Sequence, residues 1–207
     1  MTYSPTDCSG YKFYKHFAPV LLSAHHFCRP TAVTEGCEAV FAIIIILIVL
    51  IDQFSKLAVV AKLAGNPPFV IIDGVFELLY HENKGAFLGS FSDNRWVFMI
   101  ISTAAIIAML VYLILNRKSD RLLAVALSFL IGGGIGNMID RFRLGYVVDF
   151  LYAKFIDFPV FNIADSFITV GAGLLIIYMI RLEIAERKAK KARSDSCRED
   201  ISKDNDK

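Results

Sequence analysis

The chain has 207 residues, of which 56% are hydrophobic and 20% charged, with a formal net charge of +2. A mean hydropathy of +0.53 lies on the apolar side of soluble chains, and the charge is too mild for a nucleic-acid partner, so membrane lipid is the expected surrounding. Cys8, Cys28, Cys37 and Cys197 lie in the two ends of the chain, which excludes a disulfide framework for the apolar body.

The first forty residues or so carry no secretory signal pattern. Lys15, His16 and Pro19 interrupt the apolar stretch, and no cleavage region follows. Cys8, His16, His25, His26, Cys28 and Cys37 lack the close paired spacing of structural zinc sites, so no metal is expected. Residues 1–38 read as a poorly ordered extension.

Four apolar runs follow, each near the length of about 20 residues that a bilayer core demands. The first passes from Ala39 through FAIIIILIVLI and beyond Asp52; the second is Arg95 to Leu115; the third, LLAVALSFLIGGGIGNMI, spans Leu122 to Ile139; the fourth, FNIADSFITVGAGLLIIYMI, spans Phe161 to Ile180. Four spans place both termini on one side. NRKSDR between the second and third runs, and RLEIAERKAKKAR after the fourth, are the most basic links, so the positive-inside rule makes them cytoplasmic. The peptide body is then 39–182, and 183–207 is a charged cytoplasmic tail read as disordered.

The first outer link, FVIIDGVFELLYHEN, alternates loosely around an Asp73-Gly74 turn and predicts a hairpin or small sheet. The second, RFRLGYVVDFLYAKFIDFP, is partly amphipathic and too short to span, which predicts an interfacial segment. GGGIG in the third run lacks the preceding strand and lysine of a phosphate loop and reads as close helix packing.

This topology gathers Asp52, Asn83, Asn137, Asp140, Arg141, Asp149, Asn162 and Asp165 at one membrane face. A charge at membrane depth costs about 2.5–3.5 kcal/mol even on lenient scales, so intramembrane acids point to function. Two carboxylates at about 4 Å repel by roughly 4 kcal/mol at an effective dielectric near 20, and they share a proton instead. One then activates water and the other donates to a carbonyl oxygen, as in aspartic proteolysis. Local readings compete. Asn162 and Asp165 suit a helix N-terminus, Asp140 and Arg141 suit a paired helix end, and Asp52 with Lys56 suits a solvated i,i+4 pair. Asp149 interrupts an apolar run without local benefit. The spacing leaves Asp52, Asp140, Asp149 and Asp165 all open as members of the pair.

DQFSK (Asp52 to Lys56), NKGAFLGSF (Asn83 to Phe91), GNMIDRFRLGYVVDF (Gly136 to Phe150) and FNIADS (Phe161 to Ser166) resemble, in order, the motifs of lipoprotein signal peptidase, also called signal peptidase II. The resemblance covers about Phe41 to Arg181. It implies an all-α membrane protein, a four-helix transmembrane bundle with a small extracytoplasmic β-cradle and a short interfacial helix. It implies a metal-free, cofactor-free aspartic endopeptidase of the bacterial cytoplasmic (inner) membrane that cleaves diacylglyceryl prolipoproteins before the lipidated Cys, near the outer face. Asp149 and Asp165 are then the catalytic pair, with Asp52, Asn83, Asn137, Asp140, Arg141 and Asn162 supporting or binding substrate. A monomer sensitive to globomycin is expected. Phe87 and Leu88 stand where many members have a small residue and Phe. A proton- or cation-handling carrier is the alternative use of the aspartates, disfavoured by the lack of inverted repeats.

Overall fold

A computed structural model describes residues 36–85, 95–116 and 120–205. The expectations for 1–35 and for Phe87 and Leu88 lie outside the described residues. The contacts group into two units, Val33–Tyr178 and a second whose described part begins at Met179.

Four helices occupy the four apolar runs: α1 (Gly36–Leu63), α2 (Arg95–Leu115), α3 (Arg121–Arg143) and α4 (Ile163–Asn205). Stretches of α1, α3 and α4 are long and apolar enough to cross a membrane: 39–63, 121–143 and 163–192. In α2 the corresponding apolar stretch is the shorter Met99–Leu115. Polarity is inverted relative to a soluble protein. Phe54, Trp96, Ile100 and Ile176 are exposed, whereas Asp52, Lys56, Asp140 and Asp149 are buried. Burial of charge beside exposure of apolar area is what a hydrocarbon surround selects, because lipid does not reward hiding Leu or Ile.

Leu123, Leu127 and Ile131 of α3 form one core, packed by Ile45 of α1, Ile106 and Leu110 of α2, and Leu175 of α4. The glycines of α3 set the helix spacing. A Cβ on Gly133 would stand 2.5 Å from the Ala164 carbonyl oxygen, and one on Gly136 would stand 2.5 Å from Asp52 Oδ2. The GGGIG run is therefore a packing device, as its sequence context indicates.

The hairpin forms as its pattern predicts: β1 (Phe69–Ile72) pairs antiparallel with β2 (Phe76–Asn83). Gly74 turns the chain at φ 68°, a value that favours glycine, and Val75 N donates to Ile72 O at 3.0 Å. The second outer link departs from expectation. Its centre is a strand, β3 (Val147–Ala153), pairing with β2 and completing a three-stranded sheet of order β1-β2-β3, and only a 3-10 turn, Lys154–Ile156, follows in place of a short interfacial helix. VVDFLYA is rich in β-branched and aromatic residues, and the open edge of β2 supplies the hydrogen bonds that a helix would otherwise make internally. Val148 and Phe150 pack on Val59 of α1, which joins the sheet to the helices.

The tail also departs from its predicted disorder. Helix α4 runs on to Asn205, with Arg187 Nε bonded to Glu183 at 2.8 Å. Ala, Glu, Lys and Arg are strong helix formers, and i,i+4 pairs add to that preference, so a charged composition does not by itself stop a helix.

Candidate active site

The site begins at the first turn of α4. Asn162 stands just before the helix and accepts from Asp165 N at 2.9 Å, while its own N–H donates to Asp165 Oδ2 at 3.2 Å. Two orphan donors of the helix terminus are satisfied reciprocally, the logic of a capping box with Asp in place of Glu. The cap and the buried polar network use the same residues. The Asn162 amide also donates to Asp149 Oδ1 at 2.6 Å and to Asn137 Oδ1 at 3.0 Å.

Asp149 enters from the middle of β3, which turns it inward beside the mouth of the bundle. It is 1% exposed. Asn83, at the end of β2, donates to its Oδ2 at 2.8 Å. Burial pushes Asp149 up from the usual 3.8 to about 6, assisted by the charge of Asp165 and opposed by the donors Asn83 and Asn162 and the charge of Lys56. Asp165 is less deeply buried and accepts from Asn137 Nδ2 at 2.7 Å. Asn162 thus reaches both carboxylates, Asp149 through its side-chain amide and Asp165 through its backbone N–H.

Behind the pair lies a buried ionic cluster. Lys56 Nζ sits 2.8 Å from Asp52 Oδ2, 2.9 Å from Asp140 Oδ2 and 2.9 Å from Asn137 Oδ1. An ammonium has three donors and no acceptor, so all three are committed. Asp52 Oδ1 accepts from Ala164 N at 3.0 Å, in the first turn of α4, where an anion complements the helix dipole. Gln53 spans the cluster, donating to Asp52, Asp140 and the Gly136 carbonyl, and Val148 N donates to Asp140 at 3.2 Å.

Seven of the eight residues singled out from sequence, Asp52, Asn83, Asn137, Asp140, Asp149, Asn162 and Asp165, join one hydrogen-bonded network. Arg141 belongs to it electrostatically, acting on Asp165, Asp149 and Asp140. One reading needs correction. Asp52 and Lys56 are not a solvated helix face but fully inward, and Lys56 forms an ion pair with Asp140, a partner that the sequence reading did not give it. Sequence reasoning missed Lys56 and Gln53 as site residues. The signal was present, since a lysine four residues past an aspartate inside an otherwise apolar helix has to find buried partners.

The family model described as signal peptidase (SPase) II matches residues 44–181. The chain belongs to the signal peptidase II family. It is 40% identical over 157 residues to a lipoprotein signal peptidase of Halalkalibacterium halodurans, an alignment covering 75% of this chain and 99% of that one. A lipoprotein signal peptidase of Clostridium tetani is 39% identical over 67% of this chain and 91% of its own. A bacterial membrane enzyme solved in meso superposes with a TM-score of 0.63 at 34% identity, over 68% of this chain and 92% of that one. The matched region of this signal peptidase II family member contains every residue of the network described above.

Proposed function

We propose that this protein removes the signal peptide from diacylglyceryl-modified prolipoproteins as an aspartic endopeptidase, cutting before the lipidated Cys, with Asp149 and Asp165 as the catalytic pair. The observation that carries this reading is Asn162 held between the two carboxylates, its side-chain amide donating to Asp149 at 2.6 Å and its backbone N–H to Asp165 Oδ2 at 3.2 Å. Asp149, deeply buried and raised in pKa, holds the shared proton. Asp165, closer to the opening, is the carboxylate that takes a proton from the attacking water. The proton of Asp149 passes to the peptide carbonyl oxygen as the tetrahedral intermediate forms, and the proton gained by Asp165 goes to the leaving amine. Asn83, Asn137 and Asn162 orient the carboxylates; Asp52, Asp140 and Arg141 support them or the substrate.

The same reading makes 39–182 the peptidase body, with α2 as a fourth span and both termini cytoplasmic. The sheet then forms a cradle on the outer leaflet, and the pair lies near the outer face, where a lipid-anchored peptide bond arrives. The protein acts as a monomer within lipid and is inhibited by globomycin. The test is cleavage of a diacylglyceryl prolipoprotein by the purified protein in lipid, with a chelator present. Wild type cuts before the lipidated Cys, and Asp149→Asn and Asp165→Asn do not. Turnover surviving either substitution transfers the role to Asp52 or Asp140.

A further inference from the structure

We propose that Lys56 is a positioning residue for this hydrolysis, fixing the Asn137 carboxamide so that its NH2 faces Asp165, an inference that rests on Asp149 and Asp165 being the catalytic pair. A carboxamide can be turned over with almost no change of shape, and its orientation is decided by its partners. Asn137 Oδ1 accepts from Lys56 Nζ at 2.9 Å and from Asn162 Nδ2 at 3.0 Å, and its Nδ2 donates to Asp165 Oδ1 at 2.7 Å. Turned over, the amide would press its NH2 against an ammonium and its oxygen against a carboxylate. Lys56 has no acceptor to offer, so the turned state loses both contacts at once. Lys56 itself has no freedom to retreat, being 3% exposed and clamped by Asp52 and Asp140.

The second consequence is electrostatic. The charged and titratable groups around Asp149 are Lys56 and Asp52 on α1, Asp140 and Arg141 on α3, Asp165 on α4, and His81 on β2, directly across the ladder from Asp149. Of these, the Lys56 charge draws the Asp149 pKa down. Lys56 thus both aims an amide at one carboxylate and moderates the proton affinity of the other, from outside the reacting atoms.

The experiment compares wild type, Lys56→Met and Asp149→Asn, purified in lipid, by kcat and KM for a diacylglyceryl prolipoprotein across pH. For Lys56→Met, kcat is expected to fall on the order of 100-fold with little change in KM, as misplaced catalytic groups do. The alkaline limb of its profile, where the pair loses its shared proton, moves to higher pH. A lysine with a purely structural role would lower thermal stability and leave kcat per folded molecule and the pH profile of wild type, and that result overturns the inference. Should Lys56→Met fail to fold, the double variant K56M/D52N removes the ammonium together with one carboxylate, avoiding an uncompensated buried charge at Asp52. The same loss of kcat is then expected, and wild-type kcat in the double variant overturns the inference. Asp149→Asn separates the two levels: if it cleaves, the catalytic pair itself is wrong, whatever Lys56 does.

Discussion

The carboxylate of Asp52 accepts the backbone N–H of Ala164 at 3.0 Å, so a residue inside the first helix caps the last one. The bond spans 112 positions of sequence and ties the helix that carries Asp165 to the helix that carries Lys56. Asp52→Ala removes the cap and leaves Lys56 with one carboxylate instead of two. Breaking a buried pair costs about 3–5 kcal/mol. The variant is expected to unfold at markedly lower denaturant or temperature in detergent, and wild-type resistance to unfolding would contradict the clamp.

Asp149→Asn and Asp165→Asn keep the shape of the network and remove the two carboxylates proposed as its acid and base. Their cleavage rates are expected to drop by roughly 10⁴-fold, the scale seen when one member of a catalytic unit is lost. Below about pH 6 their melting temperatures should stay close to wild type, because an amide still fills the hydrogen-bonded site. Loss of the folded protein in both would point to scaffold rather than catalysis.

Stability itself should depend on pH through Asp149. Its folded pKa of about 6 lies above the ordinary 3.8, so the native state holds this proton more tightly than the unfolded chain. The associated stabilisation is fully present below the ordinary value and is lost as pH rises through about 6, a difference of about 3 kcal/mol. Asp149→Asn abolishes this titration. Denaturation of both proteins across that pH window should show wild type losing stability relative to the variant, and parallel curves would refute the assignment.

Glycines of α3 and α4 should separate cleanly. Gly133→Ala and Gly136→Ala each push a methyl to 2.5 Å from fixed oxygen atoms, those of Ala164 and Asp52. Overpacking of this kind costs about 1–3 kcal/mol, and it also displaces the first turn of α4, so cleavage should fall with stability. Nothing lies within 4 Å of a Cβ on Gly173. Gly173→Ala should be neutral or gain up to about 1 kcal/mol from helix propensity. Equal effects at all three positions would mean that close approach is not what the glycines serve.

Apolar runs and the Asp73-Gly74 turn carry periodicities that are local, and the helices and hairpin formed where those patterns stand. Strand β3 was hidden because its stabilising partner, β2, lies 66 positions away from it at the Asn83–Asp149 bond. No window around VVDFLYA contains that edge. The tail misled in the opposite way, since charge content argues about burial while helix propensity argues about backbone. Within the site, the residue types were legible and their sidedness was not: an apolar run does not reveal which face of α1 looks inward, and this is why Lys56 read as a solvent partner of Asp52. Neighbours in sequence also hid a partner of Asp140, the Lys56 ammonium that reaches it from α1.

The Asp52 cap on α4 has a consequence for biogenesis. Asp165 and Asn162 emerge from the ribosome after more than a hundred residues of the chain have passed Asp52, and their geometry is completed only when the last helix meets the first. A nascent chain that ends before α4 holds Asp149 and Lys56 but neither Asn162 nor Asp165, so the network that joins them closes last.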